Sequence, residues 1–217
     1  MKRIIYHGSE FIIEKPKYLK GNIHNDYGLG FYCCTNKDLS KEWAAKRTGH
    51  GYINKYIIRD DRLKILDLTK PPFNDVLFWT ALLMHNRELS DDLRNNYPLE
   101  LKYLEENYLI NVKEYDVVIG YRADDSYFHF PEAFVHSEIT LESLNKIFHA
   151  GELGKQYVII SQRAFNLLKF IDCEEAFEQS REDYYKRKKG ADKVFTDLLA
   201  ADRYSDGTRI RDLIKKK

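Results

Sequence analysis

Apolar residues recur along this chain at two periods, and the change from one to the other marks out its elements. Arg3 to Tyr6 is short and isoleucine-rich and runs into Gly8 and Ser9, which predicts a first strand ending in a turn. A polar loop with Pro16, Gly21, Asn22, Asn25 and Asp26 follows. Gly28, Gly30, Phe31 and Tyr32 open a second short strand, and Thr35 stands where it would cap a helix from about Asn36 to Arg47. Leu39 and Trp43, four positions apart, share one face of that helix. Over residues 52 to 59 the pattern alternates, with Tyr52, Asn54, Tyr56 and Ile58 on one side and Ile53, Lys55 and Ile57 on the other, so a strand is expected.

Helical spacing returns from Phe73 to Arg87 and from Leu99 to Leu109, each after a proline break. Tyr115 to Gly120 and Tyr157 to Ser161 are compact β-branched runs and read as buried strands. Thr140 to His149 and Arg163 to Phe170 read as helices, Ile171 to Phe177 fits either state, and a long helix runs from about Arg181 to Arg203. No internal repeat is visible.

Composition narrows the class. A chain of 217 residues with 43% hydrophobic content can bury one full core, so residues 1–217 are read as a single domain with a basic helical extension over 179–217. That extension holds 12 Lys and Arg against 7 Asp and Glu, the rest 23 against 27, and the whole chain balances to +1. A general affinity for nucleic acid or membrane is therefore not expected, and any such affinity must be local. The run Lys186, Arg187, Lys188, Lys189 is either a solvated helix face or a nucleic-acid contact. No apolar stretch approaches the ~18 residues of a membrane span, and MKRIIYHGSE lacks a long apolar region, so neither a membrane nor general secretion is expected.

Cys33, Cys34 and Cys173 suit neither a disulfide framework nor a zinc site, which points to a reducing cytoplasm. The remaining histidines, His24, His50, His85, His129, His136 and His149, show no metal-ligand spacing, and no metal is expected. Sixteen tyrosines fit either amphipathic surface packing or a planar-ligand site. Glycines beside aromatics at Tyr6-His7-Gly8-Ser9 and Gly28-Leu29-Gly30-Phe31-Tyr32 suggest close backbone approach to a planar ligand. Asp124 and Asp125, after a predicted strand, suit either a functional loop or a turn.

Together these residues carry a resemblance. YHGS, followed about twenty residues later by DYGLGFYCCTNKDLSKEWA, resembles the start of the diphtheria-toxin class of ADP-ribosyltransferases, which reads Tyr-His-Gly-Thr and then Gly-Phe-Tyr-Ser-Thr. The second clamp aromatic of that class lies eleven positions after the Gly-Phe-Tyr tyrosine, and eleven positions after Tyr32 stands Trp43. YDVVIGYRADD, KQYVIIS and the basic helix are similar to a bacterial family of small toxin-like ADP-ribosyltransferases filed as a domain of unknown function.

The resemblance implies an α+β fold, a split β-sandwich built as a mostly antiparallel pair of small sheets with helices around it. It implies NAD as substrate. His7 would hydrogen-bond the adenosine-side ribose, the Gly8 backbone would read the nicotinamide carboxamide, Ser9 would lie at the bound dinucleotide, and Tyr32 and Trp43 would sandwich the nicotinamide ring. Aromatic faces attract such a planar cation by ~0.5 to 2 kcal/mol each.

The class carries a catalytic glutamate at its fifth strand, and the matching position here is Gln156, which orients a ribose but adds no charge. Glu152, four residues earlier, is the alternative carboxylate. With His7 and Tyr32, Gln156 completes the expected catalytic set. The implied partners are a macromolecular acceptor, protein or nucleic acid, and an antitoxin protein. Mainly hydrolysing NAD, or binding it without catalysis, are the rival expectations.

Overall fold

The computed structural model describes residues 2–123, 127–149 and 154–216. Its strands are β1 (Lys2–Ser9), β2 (Phe31–Cys34), β3 (Gly51–Arg59), β4 (Ile65–Asp67), β5 (Val117–Tyr121), β6 (Lys155–Ile159) and β7 (Leu168–Ala176). Its helices are α1 (Lys37–Ala45), α2 (Val76–Asn86), α3 (Asp91–Asn96), α4 (Pro98–Tyr108), α5 (His129–Val135), α6 (Leu141–His149), α7 (Gln162–Leu167), α8 (Glu178–Asp202) and α9 (Ile210–Lys215), with one 3-10 turn at Val112–Glu114. The fold is α+β.

The strands form one sheet in the order β4-β5-β6-β2-β1-β3-β7. Among the described residues only the β4–β5 pair is parallel. The expected pair of separate sheets is thus corrected to one sheet, although its two halves barely join. β1 pairs with β3 along its whole length, Lys2 opposite Arg59 through Ser9 opposite Tyr52, whereas β1 and β2 meet only at Tyr6 opposite Cys34. This full pairing with β3 also carries β1 past Tyr6, so the predicted turn at Gly8 is strand instead.

On one face, α2 to α6 cover β5 and β6, and Trp79, Phe130, Phe134, Phe148, Leu82, Val118 and Val158 fill the main core. The opposite face crosses the junction, with Ile5, Phe31, Cys33, Tyr56, Ile58, Tyr157 and Ile159 packed together. Beneath α1 lies a third cluster made of Ala44, Ala45, Ile53 and Ala176. Small residues dominate there because the helix sits very close to the sheet: a Cβ on Gly8 would collide with the backbone of Ser40 and Ala44, and one on Gly51 with the backbone of Ala44.

Asn36, not Thr35, caps α1, its Oδ1 accepting from Asp38 N at 2.9 Å and Leu39 N at 3.3 Å. The predicted helix over Arg163 to Phe170 stops at Leu167. Leu168 turns extended, and the chain to Ala176 becomes an edge strand on β3, with a register shift opposite Lys55 and Tyr56. α8 packs on α1: Arg187 pairs with Glu42 at 2.9 Å, and the Lys46 ammonium lies 5.0 Å from the Tyr184 ring centre. Lys186 and Lys189 remain at the surface. No helix among the described residues is long and apolar enough to cross a membrane.

Candidate functional site

Where the two halves of the sheet part, a cavity of about 530 Å³ opens. β1 contributes Tyr6, His7 and Gly8, β2 contributes Phe31 to Cys34, and α1 contributes Leu39, Ser40 and Trp43. Arg122, just after β5, and Gln156, on β6, close one side, and the loop between β1 and β2 adds Ile13, Lys15, Lys17, Lys20 and Asp26. Four residues predicted from distant parts of the sequence, His7, Tyr32, Trp43 and Gln156, thus line one cavity with Gly8. The volume falls within the ~300–1,000 Å³ typical of small-molecule sites.

His7 bridges the parting strands. Its Nδ1 lies 2.7 Å from the Tyr32 carbonyl, and its ring packs 4.3 Å from that of Phe31. A carbonyl can only accept, so Nδ1 carries the hydrogen. Burial lowers the His7 pKa below its usual 6.5, opposed by the smaller effect of the Tyr32 bond. The imidazole is therefore neutral at pH 7, with Nε2 left as an acceptor.

The Tyr32 hydroxyl donates to Gly28 O at 2.6 Å and accepts from Tyr27 N at 3.0 Å, and burial raises its pKa far above 10.0. Its hydroxyl is committed to the loop, which leaves the ring as the part available to a ligand. Trp43 is 43% exposed. The Lys46 ammonium lies 4.6 Å and the Arg122 guanidinium 4.8 Å from its ring centre, so this indole already associates with cations.

Gln156 lies opposite Cys34 on β2 and Gly120 on β5. Its Oε1 is buried without a hydrogen-bond partner among the described residues. Leaving such an acceptor unpaired costs about 1–3 kcal/mol, which a ligand hydroxyl would offset. Gln156 also borders a smaller cleft of about 160 Å³ that includes Thr35, Thr69, Lys70 and Lys155.

Other expectations fare differently. Gly8 lines the cavity, but its missing side chain is required by α1 rather than by a ligand. Ser9 is not among the lining residues; its hydroxyl donates to Phe11 O at 2.6 Å and accepts from Asn54 Nδ2 at 2.9 Å. Glu152, Asp124 and Asp125 lie outside the described residues. Cys33 and Cys34 border the cavity with pKa values raised by burial, so both stay protonated thiols. Among the described residues no group of His, Cys, Asp and Glu is placed to hold a metal ion.

Two contributors escaped the sequence reading. Asn54, fully buried, ties the start of the loop to the sheet: Ile13 N donates to its Oδ1 at 2.7 Å, and its Nδ2 donates to Ser9 Oγ, to Phe11 O at 3.2 Å and to His7 O at 3.3 Å. The Tyr56 hydroxyl donates to Ile13 O nearby. The signal was present, since Asn54 is a polar residue on the side of β3 that carries Tyr56 and Ile58. Arg122 is the second, one residue past β5 and two before the first of the paired aspartates.

No curated protein and no solved structure matches the chain. The match to a described family runs over residues 3–170, from β1 into β7; it takes in every residue lining the cavity and leaves α8 and α9 beyond it. By that match the chain belongs to the family described as "Protein of unknown function (DUF3990)".

Proposed function

We propose that this protein is an NAD-dependent mono-ADP-ribosyltransferase, moving ADP-ribose from NAD to a cellular macromolecule with release of nicotinamide. The observation that carries the reading is the convergence of His7, Tyr32 and Trp43, near the start of the sequence, with the distant Gln156 on one cavity. The charge of its lining supports it: Lys15, Lys17, Lys20 and Arg122 stand against Asp26, which is itself paired with Arg87 at 3.3 Å. A dinucleotide with a diphosphate and a planar cation suits a cationic cavity with an exposed indole.

Each side chain then has a defined task. Neutral His7 accepts a hydrogen bond from a ribose hydroxyl at Nε2. Trp43 and the Tyr32 ring hold the nicotinamide cation, whose charge disappears when the C–N glycosidic bond breaks and the electron pair leaves with nicotinamide. The grip weakens as the product forms. Gln156 orients the nicotinamide ribose through its amide, and the oxocarbenium-like sugar is captured by a nucleophile of the acceptor, which loses its proton. The cleft on the other border of Gln156 offers that acceptor an approach. Because an amide adds no negative charge, stabilisation of the sugar cation is weaker than a carboxylate would provide.

Incubating the protein with NAD labelled in the adenylate half and a whole-cell extract, while measuring nicotinamide release, tests the reading. Label joined to a macromolecule in step with nicotinamide release is expected. Nicotinamide release without any macromolecular label would make the protein an NAD glycohydrolase, and the absence of both signals would refute catalysis.

A further inference from the structure

Arg122 enters the scheme above only as one of the lining charges, with no contact to the dinucleotide assigned to it. It is 6% exposed, and its guanidinium reaches over the Trp43 ring. The backbone beneath it is pinned on both sides. Arg122 N donates to Gly154 O at 3.1 Å, and Tyr121 O accepts from Tyr27 Oη at 2.5 Å and Trp79 Nε1 at 3.1 Å. On the other side, Ala123 N donates to the Asp26 carboxylate at 3.0 Å. Arg122 thus projects from rigid backbone into the cavity wall, whereas Lys15, Lys17 and Lys20 belong to the loop.

Forked, planar guanidinium donors match phosphate oxygens in a way that an ammonium does not. Along NAD the groups run nicotinamide, ribose, diphosphate, and Trp43, Gln156 and Arg122 line one cavity with an aromatic face, a neutral amide and a buried cation. We propose that Arg122 is the residue that binds the diphosphate of the dinucleotide, an inference that rests on reading the cavity as an NAD site. The loop lysines act as charges that raise the local concentration of anions, and Arg122 fixes the register that brings the ribose to Gln156.

The test compares the wild type with Arg122→Gln and Arg122→Lys, using ADP-ribose, which has the diphosphate but no nicotinamide, and nicotinamide, which has no phosphate. Arg122→Gln should weaken ADP-ribose binding by about tenfold to a hundredfold, the scale of hydrogen bonds to a charged group. Arg122→Lys keeps the charge beside Trp43 and should fall between the two. Nicotinamide affinity should change by less than about threefold, which separates lost diphosphate contacts from a collapsed cavity. Should Arg122→Gln fail to fold, the Arg122→Lys arm decides alone. ADP-ribose binding at wild-type strength in the folded variants overturns the inference while leaving the NAD reading standing. Failure of ADP-ribose and NAD to bind the wild type overturns both.

Discussion

The layer of helices over β5 and β6 and the single helix over β1 and β3 cover the same sheet by opposite means. The first fills its space with large side chains, among them Trp79, Phe130, Phe134 and Phe148. The second brings α1 down onto glycine and alanine, so that Ser40, Ala44 and Ala45 face the strands and no large side chain of α1 is spent on the core. Leu39 and Trp43 are thereby left to face the cavity. The helix layer gives the cavity only what projects from its strands, Arg122 and Gln156. One half holds the largest apolar core, and the other presents most of the cavity lining.

The largest effect should come from breaking the first kind of packing. Trp79→Ala removes a fully buried indole and its bond to Tyr121 O, and should cost about 3–5 kcal/mol in denaturant unfolding. A loss under about 1 kcal/mol would show that the helix layer does not carry the stability. Gln156→Ala should do the reverse, lowering transfer by ~10² or more, about 2.7 kcal/mol of activation free energy, while stability holds or rises because a buried unpaired acceptor disappears. Equal losses in melting temperature and activity would make Gln156 a structural residue.

Much of this division can be read in the chain, and the unread part has a physical cause. Tyr32 and Trp43 were legible through the resemblance alone, whose eleven-residue spacing runs here from β2 into α1. β3, β5 and β6 were legible because buried strands need uninterrupted or alternating apolar runs. β7 was not, since an edge strand with mostly exposed positions such as Lys169, Asp172 and Glu175 leaves no pattern to read, and its pairing with β3 alone makes it a strand. Gly8 was read as a point of close approach to a planar ligand, and the group packed against it in the fold is α1. His7 was read as a strand-end ligand contact, and the structure shows it holding β1 to β2 through the Tyr32 carbonyl.

Breaking the second kind of packing gives an intermediate effect. Gly8→Ala places a methyl group against the backbone of Ser40 and Ala44, and by lifting α1 should cost about 1–3 kcal/mol while moving Trp43 and weakening NAD binding. Unchanged stability and affinity in the Gly8→Ala variant would mean that α1 is not seated as described. The smallest effect concerns His7. Its folded pKa lies below its unfolded value of 6.5, so the unfolded chain takes up a proton first as pH falls, and folding stability is full above that value and declines below it. Unfolding from about pH 7.5 to 5 should therefore show a decline in the wild type that His7→Ala lacks, with a slope of at most about 1.4 kcal/mol per pH unit. Parallel curves would mean that the His7 pKa is not lowered.

The comparison predicts that a ligand senses one tryptophan and not the other. Trp43 is exposed in the cavity and Trp79 is sealed in the helix layer, so titrating NAD into the wild type should quench tryptophan emission saturably, and Trp43→Phe, which retains Trp79 alone, should lose that quenching. Saturable quenching of full size in Trp43→Phe, or none in the wild type, would contradict the assignment of this cavity to NAD.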